Sequence, residues 1–399
     1  MVTFNFETLR FVDQTDKVRV VFLKIFEFFI DKKDLNNIGA FKIENNGITF
    51  EGKEHRAERK FPELIDEGLK NLTNIITKKS TTYIHKNSGI PLIGNIAFGL
   101  LDRDTTVIEV RPISGCNIAC VYCSVNDDAR VHEFVVDADY LVEEFKKLVE
   151  LKKEINIEAH IASQGEPTLY SDLPRLVKGL RNIPAVGDIA IDTNGTLLNE
   201  KFVDELIIAG LNRVNLSLNA MSRKKADEVA GTAYNFERVK KMAEYISTRC
   251  KLIIAPVWVP GLNDDDMEEL VAFTKSLKNE KFTPKIGIQK FLEYRKGRNY
   301  TKELSWENFY AKLAEWGKTY GEEFFVSAAD YNFKEAKVLA KPFKKDETVQ
   351  AKIVCKGRFP GEKLVVSKDR VISVFTDKIG TVRLKIKRTK HNIFTGQIV

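Results

Sequence analysis

Cysteine is scarce in this 399-residue chain, and where it is missing excludes as much as its number. Only five are present, none within the first hundred residues and none clustered near the C-terminus. A disulfide-stapled secreted scaffold is therefore excluded. The N-terminus, Met1-Val-Thr-Phe-Asn-Phe, lacks a basic segment followed by an apolar one, so no secretory signal is expected. No apolar run approaches the roughly 20 residues that span a bilayer, so no membrane partner is expected. A cytoplasmic location follows, and there grouped cysteines point to metal binding. The length suits two or three domains.

Three of the five cysteines lie together in Gly115-Cys-Asn-Ile-Ala-Cys-Val-Tyr-Cys123, spaced C-x3-C-x2-C. Thiolates are the usual ligands of iron–sulfur clusters. Cys116, Cys120 and Cys123 can hold three irons of a [4Fe-4S] cluster and leave the fourth open to a ligand. The competing reading is structural zinc, which takes four protein ligands, often as two separated pairs. No such partner follows closely: the next histidine is His132 and the next cysteine is Cys250.

The cysteine loop resembles the signature of the radical S-adenosylmethionine (SAM) superfamily, and the resemblance extends over about residues 104 to 300. Tyr122 matches the aromatic residue that precedes the third cysteine and lies near the adenine of SAM. Ser163-Gln-Gly-Glu-Pro-Thr168 resembles the family's Gly-Gly-Glu-Pro segment, with Gln164 as a departure and Gly165 and Glu166 retained. Thr193-Asn-Gly195, Asn215-Leu-Ser-Leu-Asn219 and Ile253 to Asn263 resemble the strand ends that follow. The resemblance implies that SAM chelates the open iron through its amino and carboxylate groups. Glu166 would accept from the amino group. Ser217 and Asn219 would serve the ribose or carboxylate, with Asn194 beside them. An electron from the cluster would split a carbon–sulfur bond and leave a 5′-deoxyadenosyl radical able to abstract hydrogen. Plainer roles stay open. Glu166 could open a helix, Ser217 and Asn219 could face solvent from a strand, and Asn194-Gly195 could be only a turn.

Periodicity independently gives alternating strands and helices. Val107–Val110, Ile155–Ala162, Ile189–Ile191, Val214–Leu218, Leu252–Val259 and Ile286–Phe291 read as strands. Leu141–Lys152, Leu173–Leu180, Phe202–Ala209, Phe236–Ser247 and Asp264–Leu277 read as helices. Alternation of this kind argues for an α/β fold with a parallel sheet, and the resemblance implies a partial (β/α)6 TIM-like barrel over 101–330. Chemistry in such barrels sits at the C-terminal strand ends. Residues 1–100 read as a small α+β domain. Within it Val18–Phe29 and Phe61–Ile76 read as helices and Phe41–Phe50 as a hairpin around Asn46-Gly47. Ser305 opens a helix whose Trp306, Phe309, Leu313 and Trp316 read as a core stripe. Residues 331–350 read as a linker.

Residues 351–399 carry 12 Lys/Arg against 3 Asp/Glu, a local charge of +9 in a chain of net +7. Short strands with a basic surface suggest an OB-like β-barrel. The tail resembles a TRAM domain, through Gly380-Thr-Val-Arg-Leu-Lys-Ile-Lys387 and Asn392-Ile-Phe-Thr-Gly396. Lys356, Arg358, Lys363, Arg383, Lys385, Arg388 and Lys390 are candidate phosphate contacts, which would bind without sequence preference. A solvated basic face is the plainer alternative.

Together the two ends imply an enzyme that modifies RNA, above all transfer RNA, by C–H functionalisation such as methylation or methylthiolation, served by an electron donor. An N-terminal region without cysteine argues against a standard methylthiotransferase. Cys355 is a candidate methyl carrier. Two alternatives stay open: a peptide or small metabolite as substrate, and an RNA-binding protein whose cluster is structural.

Overall fold

The computed structural model describes every residue except 53, 163, 328, 329 and 332; Ser163 of the Gly-Glu-Pro segment thus lies outside the described residues. Six parallel strands form the central sheet: β1 (Val107–Arg111), β2 (Ile157–Ile161), β3 (Val186–Thr193), β4 (Arg213–Leu216), β5 (Lys251–Ile254) and β6 (Lys285–Ile286). They stand in chain order, and Gly99–Asp102 pairs antiparallel with β1 at one edge. Helices Ala138–Lys152, Leu173–Arg181, Glu200–Ala209, Phe236–Ser247 and Asp264–Ser276 lie between or beside them. Each helix buries one stripe; in Ala138–Lys152 it includes Leu141, Phe145 and Leu148. The alternation gave the parallel sheet, and the whole is the partial (β/α)6 barrel that the resemblance implies.

The N-terminal region is α+β, but Val18–Phe29 is not helical. It forms the paired strands Lys17–Phe22 and Phe26–Asp31. Val18, Val20 and Phe22 bury one face, as do Phe26, Phe28 and Ile30, which is strand periodicity. The turn between them rests on positive φ at Leu23 (47°) and Lys24 (66°), two residue types that give no turn signal. The helix expected at Phe61–Ile76 runs instead over Glu54–Lys70, straight through Pro62. The hairpin pairs Phe41–Glu44 with Gly47–Phe50. His132–Val136, from the core, pairs in parallel with Ser80–Ile84 and joins the two regions.

The C-terminal strands are β7 (Thr348–Lys356), β8 (Glu362–Ser367), β9 (Arg370–Phe375), β10 (Thr381–Arg388) and β11 (Phe394–Ile398). They close in the order β7-β8-β9-β11-β10, with β9 and β11 parallel. A five-stranded closed barrel of this kind is OB-like. Lys368 and Asp369, both at positive φ, turn β8 into β9.

Residues 331–350 are not a free linker. Lys334 and Thr106 exchange hydrogen bonds, and Lys152 donates to the Lys337 carbonyl at 3.3 Å. β7 already begins at Thr348. The barrel is hydrogen-bonded to the segment that leads into the core as well: Phe394 N donates to Gly94 O at 2.9 Å and Val371 N to Ile93 O at 3.0 Å. Gly94 has φ +129°, and a Cβ there would stand 2.1 Å from the Val371 carbonyl. Only glycine permits this approach.

Candidate active site

The strand ends converge on a cavity of about 1100 Å³. Cys116, Cys120 and Cys123 line it with Tyr122, Gln164, Gly165, Glu166, Asn194 and Ser217. The cysteine loop is held by its backbone, since Ala119 N donates to Ala230 O and Val121 N to Val229 O. Glu166 N donates to Gly115 O at 2.8 Å. A Cβ on Gly165 would lie 2.3 Å from that same carbonyl, so a side chain there would push the Gly-Glu-Pro turn off the cysteine loop.

Glu166 is buried and hydrogen-bonded through both oxygens. Oε1 accepts from Thr168 N (3.0 Å), Thr168 Oγ1 (2.6 Å) and Thr193 Oγ1 (2.7 Å), and Oε2 accepts from Asn194 N (2.8 Å). Burial raises its pKa and these donors offset part of the rise. The carboxylate both caps its own turn and ties the segment after β2 to the end of β3.

The cysteine thiols fit a cluster. Burial pushes Cys116 and Cys120 upward, with Glu166 and Cys120 adding to the rise at Cys116, while Cys120 reaches about 12. Such thiols keep their protons until a metal displaces them. Among the described residues, no three His, Cys, Asp or Glu side chains converge as a single-ion site requires. A cubane takes one thiolate on each of three irons, which is what three separate thiols lining one cavity could supply. When bound, a [4Fe-4S] cluster with SAM supplies the one-electron chemistry that cleaves SAM.

Asn219 departs from its expected place. It does not line the cavity; its Nδ2 donates to Tyr122 Oη (3.0 Å) and Ser217 O (2.8 Å), and its Oδ1 accepts from Val257 N. It fixes Tyr122 and leaves no amide group for a ribose. Asn215 lines the cavity instead, with a buried Oδ1 that has no partner. Strand alternation carried the signal, because Arg213, Asn215 and Ser217 share one face at a period of two. Asn194 spends its side chain on Asn117 and Thr196.

Sequence reasoning also missed Arg130 and His160. Arg130 is buried, with Nη1 donating to Ser114 O and to Gln164 O (3.2 Å) and Nε to Asp127 Oδ1 (3.0 Å). His160 Nδ1 lies 2.8 Å from Glu158 Oε1 and Nε2 2.9 Å from Asp192 Oδ1. Burial opposes charge on the ring, but Asp192 and Glu158 outweigh it and push its pKa up to about 10. A folded-state pKa above the ordinary value of about 6.5 stabilises fully below that pH, and the gain is lost as pH rises towards 10. Denaturant melts of the wild type are therefore expected to lose stability across this alkaline window. His160→Gln should flatten the loss; an unchanged slope would contradict the assignment.

The basic tail divides. Lys356, Arg383, Arg388 and Lys390 are exposed and Lys385 is half-buried. Lys363 donates to the Asp377 and Lys378 carbonyls. Arg358 is buried and is no surface phosphate contact. Cys355 does not line the cavity and packs beside Thr82, with burial pushing its thiol up to about 12. Its placement gives no support to a carrier role. Cys250 is buried in the core. The aromatic stripe also divides: Phe309 and Trp316 are buried, while Trp306 and Tyr310 are 53% and 59% exposed and line the cavity. Their rings stack at 5.7 Å and 23°. Lys290 Nζ lies 4.7 Å over Trp306 and pairs with Glu303 at 2.9 Å.

Residues 110–274 match the radical SAM superfamily model. An uncharacterised protein of Methanocaldococcus jannaschii is 38% identical over 82% of this chain and 83% of its own length. A probable GTP 3′,8-cyclase of Archaeoglobus fulgidus is 28% identical over 53% of this chain and 69% of its own, and that of Chlorobaculum tepidum matches 56% of its own length. A spore photoproduct lyase structure is 14% identical, with a TM-score of 0.44 over 63% of this chain and 84% of that one. The chain belongs to the radical SAM superfamily, whose enzymes use a [4Fe-4S] cluster and SAM. Among the described residues no helix is long and apolar enough to cross a membrane.

Proposed function

We propose that this enzyme modifies a nucleobase of RNA, transfer RNA above all, by functionalising a C–H bond, as in methylation or methylthiolation. Cys116, Cys120 and Cys123 hold the cluster, Glu166 faces the amino group of SAM, and Ser217 and Asn215 serve its other polar groups. An external donor supplies the electron. The observation that carries a base as substrate is the stacked, exposed Trp306–Tyr310 pair lining the cavity. An exposed aromatic face offers a base roughly 1–3 kcal/mol of stacking. The exposed Lys356, Arg383, Arg388 and Lys390 then track phosphates on a barrel docked to the same core.

Free nucleotide is the second reading, favoured by the GTP 3′,8-cyclases among the similar proteins, since the same stack takes either ligand. Binding of unmodified transfer RNA and of GTP separates them. The RNA reading expects a transfer RNA affinity that falls steeply with salt and weakens at all sequences when Arg383, Arg388 and Lys390 become alanine. It also expects a SAM-dependent mass change in one nucleoside. GTP binding without RNA binding would overturn it.

A further inference from the structure

Arg358 stands on the turn between β7 and β8, inside the basic tail, yet is only 7% exposed. Its Nη1 donates to Gln164 Oε1 at 2.6 Å. Gln164 Nε2 in turn donates to Ser124 Oγ at 3.2 Å. Ser124 directly follows Cys123. The Arg358 carbonyl accepts from Val131 N at 2.8 Å, which anchors the turn to the core. Arg130 reaches the Gln164 carbonyl from the other side. The one residue that departs from the Gly-Gly-Glu-Pro pattern is thus the bridge between the barrel and the cysteine loop. A glycine at 164 would leave that bridge unmade.

The charge is as telling as the hydrogen bonds. No carboxylate lies within ion-pair distance of Arg358 among the described residues. Glu362, the nearest opposite charge on its own barrel, is bonded to Phe359 N and Ser373 Oγ. Arg130 and Arg111 add like charge from the core. Burial lowers the guanidinium pKa to about 10, so it stays charged at neutral pH. A buried cation without a counter-ion is costly. Three thiolates around an iron–sulfur core form an anion, and Arg358 reaches the residue that follows Cys123 through Gln164.

We infer that the C-terminal barrel completes the cluster pocket: Arg358 is a positioning residue that fixes the Cys123–Ser124 end of the loop through Gln164 and places a permanent positive charge beside the cluster. Net charge and hydrogen bonding around a cluster set its reduction potential. A cation at this place favours the reduced, more negative state. The inference concerns the cluster and does not depend on the nature of the substrate.

Potentiometric titration of the reconstituted full-length protein, read by electron paramagnetic resonance, tests it. Arg358→Gln is expected to shift the reduced-to-oxidised ratio at fixed solution potential about tenfold towards oxidised, about 59 mV for one electron. Arg358→Lys, which keeps the charge, should hold the ratio near that of the wild type. Gln164→Leu keeps the cation and cuts the bridge. Hydrogen exchange of the cluster-free protein should then quicken over residues 116–124 and stay unchanged over β2–β5. Should Arg358→Gln fail to fold, the Gln164→Leu exchange still decides the bridge, and Arg358→Met, which keeps the apolar stem without the charge, takes its place in the titration. An unchanged potential in a folded Arg358→Gln protein, or unchanged loop exchange in Gln164→Leu, would overturn the inference.

Discussion

Cys116→Ser is expected to abolish SAM cleavage and most of the iron–sulfur absorbance of the reconstituted protein, and Cys120→Ser and Cys123→Ser should do the same. The reason is ligand count. Three thiols lining one cavity match three irons, and the described residues offer no fourth cysteine nearby: Cys250 is core, and Cys355 packs against Thr82. Serine oxygen is a harder ligand than thiolate sulfur and a poor substitute. The fold should survive, because the loop hangs on backbone hydrogen bonds to Val229 and Ala230 rather than on the thiols. Iron analysis with circular dichroism checks both halves. Retention of full iron by any one of the three serine variants would remove that cysteine from the ligand set.

Glu166→Gln is the second large effect. The wild-type carboxylate accepts four hydrogen bonds, two from backbone N–H and two from threonine hydroxyls. A glutamine offers one acceptor oxygen, and its NH₂ must face donors. At least one buried donor then loses its partner, at a cost of about 1–3 kcal/mol. The charge that would attract the SAM amino group disappears as well. A hydrogen bond to a charged group contributes about 1.5–3 kcal/mol, so SAM affinity should fall roughly ten- to hundredfold. Calorimetric titration of the cluster-loaded protein measures the second effect and thermal melting the first. Unaltered SAM affinity with a lowered melting temperature would reduce Glu166 to a capping residue.

The cysteine loop and strand–helix alternation of the core were legible because both are local patterns. A thiol spacing survives folding unchanged, and short apolar runs between helical stripes mark the strands of a buried sheet, as at Ile157–Ile161. The failures have equally local causes. Val18–Phe29 is apolar on nearly every residue, and the turn that splits it uses leucine and lysine at positive φ. Asn219 and Asn215 sit four residues apart, and only the end of β4 at Leu216 decides which one the cavity sees. Arg130 and Arg358 carry no sequence signal for their roles. Their meaning comes from Gln164, a residue 34 positions from one and 194 from the other. Interactions across such separations are set by how β2 and the closed barrel dock, which composition does not encode. Trp306 was legible as part of an aromatic stripe, but helical spacing cannot say which member of a stripe faces a cavity.

Everything here rests on a cluster with one iron left for SAM. Electron paramagnetic resonance of the reduced, reconstituted full-length protein, with and without SAM, addresses that directly. The expected result is a [4Fe-4S] signal whose g-values change when SAM is added and which is absent in Cys116→Ser. A signal indifferent to saturating SAM would contradict an open iron, and with it the chemistry assigned to this cavity.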